Sequence, residues 1–247
     1  YYQIVEECIP WLRRVEEIVT IYDKGMNAEV LYSLLMADLQ DIGTFKETDH
    51  RKIYIPDNPD LVYLVVIDHI SLLRPNKGRS LKEEIDLVSS YLVTLRNMCR
   101  ISPLVIMQAN RDSAGMERRK QGLNNMRLSD TKDSGGPVQD AEIVISIFSP
   151  HRERLATYNK YNIGILQDKF RAITVLKNRY GEADVEVGVN GFGRCGIWKE
   201  LPKPDEIYDY ERYTSPNYIL ETSDNTEIVI DETNTEDESK TDFNFVL

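Results

Sequence analysis

Asp68 closes an apolar run, Tyr63-Leu64-Val65-Val66-Ile67, and a carboxylate placed there is costly to bury without a partner. Five such residues in a row suit a strand covered on both faces, as in a parallel sheet. In open α/β sheets the carboxyl ends of strands border the ligand crevice. An Asp at that edge can support Mg²⁺, directly or through water, beside nucleotide phosphates. Gln108 ends the next apolar run, Leu104 to Met107, where an amide can bond a terminal phosphate oxygen or an attacking water. Lys177 and Arg179 stand one residue apart after Ile173, Val175 and Leu176, so on a strand both point the same way. A planar guanidinium held there can stabilise phosphate charge within its own chain or across a subunit boundary. Between these positions, the stretch from Arg111 to Gly136 carries Arg111, Arg118, Arg119, Lys120, Arg127 and Lys132 against Asp112, Glu117, Asp130 and Asp133. Its modest positive balance suits a nucleic-acid backbone, and Asp133-Ser134-Gly135-Gly136 would let main-chain N–H groups approach phosphates. It holds no aromatic residue, so base stacking is not its mode.

Each feature also has a plainer reading. Asp68 can cap a turn, Gln108 can simply end a strand, the loop can be a solvated surface, and Lys177 with Arg179 can be a basic pair on an edge strand. Taken one at a time, none decides between the two readings.

The elements that must position these residues follow from periodicity. Residues 3–18 have helical spacing, with Ile4, Cys8, Trp11, Leu12 and Val15 on one side. Ile18 to Tyr22 is β-branched and closed by Asp23-Lys24-Gly25, a strand pattern, and Asn27 caps a helix with Leu31, Leu35 and Leu39 on its apolar stripe. Ser80 and Glu83 form a capping box for the clearest helix, with Leu81, Ile85, Val88, Leu92, Leu95 and Cys99 on one face. Strand, long helix and strand make a βαβ unit, hence a parallel sheet with a right-handed crossover. Further strands are expected at 142–148, 171–178 and 184–189. Asn190-Gly191-Phe192-Gly193 reads as a hairpin turn leading to a return strand at 195–198, an antiparallel edge.

Composition narrows the class. The net charge is −11, but residues 202–247 hold 13 acidic and 3 basic residues, whereas 1–201 hold 28 and 27. The body is therefore nearly neutral and the excess acid sits in the tail, which leaves a polyanion-binding body open. Cys8, Cys99 and Cys195 are odd in number and widely spaced, without a CxxC pair, and His50, His69 and His151 are scattered. A disulfide framework or zinc site is not expected, Cys8 and Cys99 read as buried thiols on apolar faces, and a reducing cytoplasm is the default. No apolar window is long enough for a membrane span. The start lacks a signal peptide pattern and reads like a chain begun partway through a longer protein.

Four ordered motifs together resemble a known family. Hydrophobic-Asp68-His69-Ile70-Ser71, the strand ending Gln108-Ala109-Asn110-Arg111, Asp133-Ser134-Gly135-Gly136 with Gln139-Asp140-Ala141-Glu142, and Lys177-Asn178-Arg179-Tyr180-Gly181 occur in the order of the RecA-like motor domain of DnaB-type hexameric replicative helicases. The resemblance spans about 18–201. It implies a RecA-like P-loop NTPase α/β fold that is incomplete at its N-terminal side, mainly parallel with an antiparallel edge. It implies ATP and Mg²⁺ as cofactors, single-stranded DNA as partner, and a ring, six-membered in the family. By that resemblance Asp68 is the Walker B carboxylate and Gln108 the γ-phosphate sensor. Arg111, Lys132, Asp133 and Gly135 fall in the DNA-gripping segment. Lys177 and Arg179 match the pair that reaches a neighbour's ATP, Arg179 as arginine finger.

The departures are as informative. No Gly-x-x-x-x-Gly-Lys-Ser/Thr precedes Asp68. The family's catalytic glutamate and its N-terminal helical domain are missing too, and Pro137 and Val138 differ from its usual loop residues. The expectation is a partial motor domain over 1–201 and an acidic, disordered tail over 202–247 whose last residues can dock a protein partner. Such a chain would not hydrolyse ATP unaided and would need a P-loop-bearing partner chain. A non-catalytic DNA-binding or assembly module of the same fold, and a recombinase-type ATPase, are the alternatives.

Overall fold

The structure, a computed structural model, describes residues 2–49, 51–108, 127–130, 135–193, 196–215, 218 and 243–246. Arg111, Lys132, Asp133 and most of the acidic tail lie outside the described residues. The chain divides into two compact units, one of 1–109, 131–140 and 237–247, the other of 110–130 and 141–236.

The first unit opens with helix α1 (Tyr2–Ile18) and strand β1 (Val19–Thr20). Helix α2 (Ala28–Asp41) starts where expected, because the Asn27 side chain accepts the Val30 N–H at 2.9 Å. Strands β2 (Gly43–Glu47) and β3 (Lys52–Pro56) form an antiparallel hairpin. Strand β4 (Val62–Ile67) ends at Asp68. Helix α3 (Leu81–Cys99) carries the capping box read from sequence, with Ser80 Oγ accepting the Glu83 N–H and Glu83 accepting from the Ser80 N–H. Strand β5 (Ser102–Val105) pairs with β4 in parallel, Leu64 opposite Ser102 and Ile67 opposite Val105. Leu35 and Leu39 of α2, Tyr63 and Val65 of β4, and Ile85, Val88, Leu92 and Leu95 of α3 are buried together. Each such apolar side chain contributes about 1.5–3 kcal/mol. The short helix α4 (Gly135–Asp140) is tied to α3, since Ser89 Oγ donates to Asp140 Oδ2 at 2.7 Å and Arg96 Nη1 to the Asp140 carbonyl at 3.3 Å.

The second unit is antiparallel. Strand β6 (Ile143–Phe148) leads to the two-residue pair β7 (Thr157–Tyr158) and β8 (Tyr161–Asn162), then helix α5 (Ile163–Leu166). Strands β9 (Phe170–Asn178), β10 (Val185–Phe192) and β11 (Ile197–Glu200) complete a four-stranded sheet in the order β11-β10-β9-β6. Its core is Tyr158, Tyr161, Ile163, Leu166, Phe170, Ala172 and Leu201.

Two sequence expectations are corrected. Asn190-Gly191 is strand rather than turn: Asn190 pairs with Lys199 and Gly191 with Trp198, and the return strand begins at Ile197. Gly191 is there for space, because a Cβ on it would sit 2.4 Å from the Trp198 ring. Asn190 is fully buried and donates to the Tyr213 carbonyl. Cys8 is exposed on α1, alongside exposed Trp11 and Leu12, whereas Cys99 is buried as expected.

The last strand, β12 (Phe243–Val246), belongs to the first unit and lies between β1 and β4, giving a parallel sheet in the order β1-β12-β4-β5.

Candidate functional site

The site is built where β4 and β5 end side by side. The Ile106 N–H donates to the Ile67 carbonyl at 2.9 Å, and the Ile70 N–H donates to the Ile106 carbonyl at 3.1 Å. These two bonds continue the ladder one step past each strand and bring Asp68-His69 beside Met107-Gln108. Gln108 Nε2 lies 3.4 Å from His69 Nε2. An amide nitrogen only donates, so in this contact His69 Nε2 is the acceptor. The His69 Nδ1 is buried and has no hydrogen-bond partner among the described residues.

Asp68 is exposed and has no ion pair or hydrogen bond among the described residues. It borders a cleft of about 220 Å³, also lined by Tyr22, Asp23, Lys24 and His69. Arg74 closes on the same stretch of chain. Its N–H donates to the Met26 carbonyl at 2.9 Å, and its guanidinium rests so near Gly25 that a Cβ there would fall 2.3 Å from Nε. Lys24 and Asp23 were not singled out from sequence, where Asp23-Lys24-Gly25 marks only the end of a strand. Their signal is positional, the carboxyl end of a strand in the same sheet as Asp68.

The floor of the cleft is anchored from below. Tyr22 and Tyr63 hydroxyls both donate to Asp38 of α2, each at 2.9 Å. Burial first, then the Asp38 carboxylate, pushes the Tyr63 hydroxyl's pKa far above the ordinary tyrosine value. Tyr63 therefore stays a neutral donor.

A second polar cluster fixes the start of α2. Glu84 is fully buried, accepts the Ala28 N–H at 2.5 Å and the Arg79 guanidinium at 2.9 Å, while Arg79 also reaches Glu29 at 2.8 Å. The Arg79 hydrogen bond is the chief cause of a Glu29 pKa below the usual glutamate value.

The remaining candidates fall elsewhere. Gly135 opens α4 in the first unit, and Gly136 packs so closely on α3 that a Cβ would meet Asp86 Oδ1 at 2.5 Å. Lys177 stands opposite Val144, one residue before the end of β9 in the second unit. Arg179 follows it and pairs with Glu142, Nη1 to Oε1 at 3.0 Å, and its N–H donates to the Glu142 carbonyl at 3.0 Å. The structure thus joins Asp68 to Gln108 through His69, and joins Arg179 to Glu142. The two pairs belong to different units.

Magnesium keeps most of its waters and needs only one or two protein carboxylates when phosphates supply the rest. The exposed Asp68 fits that minimal demand. No cluster of three or more His, Cys, Asp or Glu side chains suited to holding a metal by themselves occurs among the described residues. No described helix is long and apolar enough to cross a membrane.

A family model described as DnaB-like helicase C terminal domain matches residues 31–190. Among solved structures, the chain is similar to one described as "The Structure Of A DnaB-Like Replicative Helicase And Its Interactions With Primase", with a TM-score of 0.54 and 18% identity over 74% of this chain and 38% of that one. It is also similar to a second solved structure, described as an ATPase domain, with a TM-score of 0.49 and 19% identity over 74% of this chain and 55% of that one. The chain therefore spans less than two thirds of either. No curated protein matches it.

Proposed function

Because this chain belongs to the family of DnaB-like helicase C-terminal domains, a RecA-like α/β fold, we propose that it forms part of an ATP-dependent DNA helicase motor acting in the cytoplasm. The observation that carries the reading is the ladder between the ends of β4 and β5, which sets Asp68 and the His69–Gln108 pair along one sheet edge. In this reading Asp68 holds Mg²⁺ through one carboxylate or through water, and Gln108 senses the terminal phosphate of ATP. Bound ATP with Mg²⁺ supplies the driving hydrolysis. His69 orients the Gln108 amide from the side. Lys177 and Arg179 meet phosphate charge on a neighbouring subunit, which requires a ring, hexameric by family resemblance. Arg111, Lys132, Asp133 and Gly135 grip single-stranded DNA along its backbone, and α4, which begins at Gly135, is held on α3 through Asp140.

The 247 residues contain no Gly-x-x-x-x-Gly-Lys-Ser/Thr. We therefore assign hydrolysis to an assembly in which a P-loop comes from outside these residues. A second reading is a DNA-binding or assembly module that keeps the DNA segment and the subunit interface without turnover. Single-stranded DNA binding by the 247-residue chain, titrated with salt, tests the DNA assignment common to both. Lys132→Ala and Arg111→Ala should each weaken binding and lower the slope of log affinity against log salt by about one unit. Binding unaffected by either substitution would remove that segment from the interface. Binding that strengthens with ATP and a P-loop partner favours the motor, and binding indifferent to both favours the module.

A further inference from the structure

We propose that Phe243–Val246 is a removable strand whose docking between β1 and β4 assembles the cleft at Asp68. β12 takes an interior place in the parallel sheet. Val19 and Thr20 stand opposite Phe245 and Val246, while Phe243, Asn244, Phe245 and Val246 stand opposite Val62, Tyr63, Leu64 and Val65. Among the described residues β1 has no other strand partner, so within the sheet β1 reaches β4 through this peptide, the remaining link being the Tyr22 and Tyr63 hydroxyls on Asp38 of α2. The residues that follow β1 include Tyr22, Asp23 and Lys24, and the residue after β4 is Asp68. Both groups line the same cleft. Withdrawing the peptide would leave a gap on the order of 10 Å, two strand spacings, between the two sides that carry them.

The docking is short enough to reverse. Only four residues pair with β4 and two with β1. Each ladder hydrogen bond is worth about 1 kcal/mol net, against about 1–2 kcal/mol for fixing each residue's backbone. The peptide is joined to the rest of the chain by residues 219–242, which hold nine acidic residues and one lysine. Those 24 residues span at most about 80 Å when extended, so the peptide stays near its slot at high effective concentration. The occupant is this chain's own segment in cis. β12 runs parallel to β4, and Val246 stands opposite Val65, three residues before Asp68, so the peptide heads toward the cleft edge of the sheet. This inference holds whatever the cleft binds.

Hydrogen exchange on the full chain tests it, compared with a chain truncated after Glu236 and with Phe245→Pro, which removes a ladder donor. In both variants the Val19–Thr20 amides, and the β4 amides turned away from β5, should exchange at least about tenfold faster. Cys99 should stay resistant to alkylation, showing that the α2–α3 core is intact. A synthetic peptide of residues 241–247 added to the truncated chain should restore the protection. Unchanged exchange in the variants, or no rescue by the peptide, would overturn the proposal. Protection that grows with protein concentration would overturn the cis assignment, because the strand would then come from a second copy.

Discussion

Gln108 and His69 touch through their side-chain nitrogens at 3.4 Å, across the ends of two adjacent parallel strands. The contact gives the amide that would read a phosphate a fixed neighbour one residue from Asp68. A change at Gln108 can thereby reach the Asp68 backbone through the His69 ring.

His69→Phe removes the acceptor while keeping an aromatic ring of similar bulk. The Gln108 side-chain amide resonances should shift in the variant, with the fold retained and stability lowered by no more than about 1 kcal/mol, the net value of one such bond. Resonances identical to those of the parent would show that the contact is not made in solution.

Arg179 is held by Glu142 at a partly exposed site. Exposed pairs of this kind contribute about 0–1 kcal/mol, so Glu142→Gln should move the urea midpoint very little. In the proposed finger role, that low cost lets Arg179 leave Glu142 for a phosphate. In an assembly that hydrolyses ATP, Arg179→Ala should cut turnover about 10³-fold or more, and a loss below tenfold would exclude a finger role.

Glu84 is different because it is buried and holds both Arg79 and the first N–H of α2. Glu84→Ala should cost about 3 kcal/mol in urea unfolding, because it leaves the buried Ala28 N–H without an acceptor and Arg79 with Glu29 alone. Glu29 contributes with a definite pH sign. Its folded pKa is lowered, so its share of stability is present above the unfolded value and is lost as pH falls through the depressed folded one. Arg79→Ala should flatten that acid limb of the stability curve, and an unchanged limb would assign the acid sensitivity elsewhere.

Burial pushes the Cys99 thiol up to about 11, with a smaller opposing pull from Lys52. Its folded pKa lies above the unfolded value, so stability from the neutral thiol is full below the unfolded value and fades as pH rises toward 11. At about pH 8, near the ordinary thiol pKa, iodoacetamide should modify exposed Cys8 promptly and Cys99 only on unfolding, as read by peptide mass spectrometry. Rapid modification of Cys99 in folded protein would contradict its burial at the end of α3.

Local rules carried much of the fold. The Ser80–Glu83 box, the Asn27 cap and the apolar run before Asp68 are decided by neighbours in sequence, and the structure has all three. Asn190-Gly191 misled because its turn chemistry is real but overruled by a distant residue, since Trp198 needs the space a side chain would fill. The pairings β1–β12 and β4–β12 join residues more than 180 positions apart, and no local pattern announces them. The order of the site motifs was legible, whereas the Gln108–His69 and Arg179–Glu142 contacts depend on which strands lie side by side.

The most direct test is magnesium-dependent ATP hydrolysis by the purified 247-residue chain, alone and mixed with a polypeptide carrying a P-loop of the same family. The chain alone should show no turnover above background. The mixture should show turnover that is lost on Asp68→Ala or Arg179→Ala. Magnesium-dependent hydrolysis by the chain alone that disappears in Asp68→Ala would contradict the need for a P-loop partner.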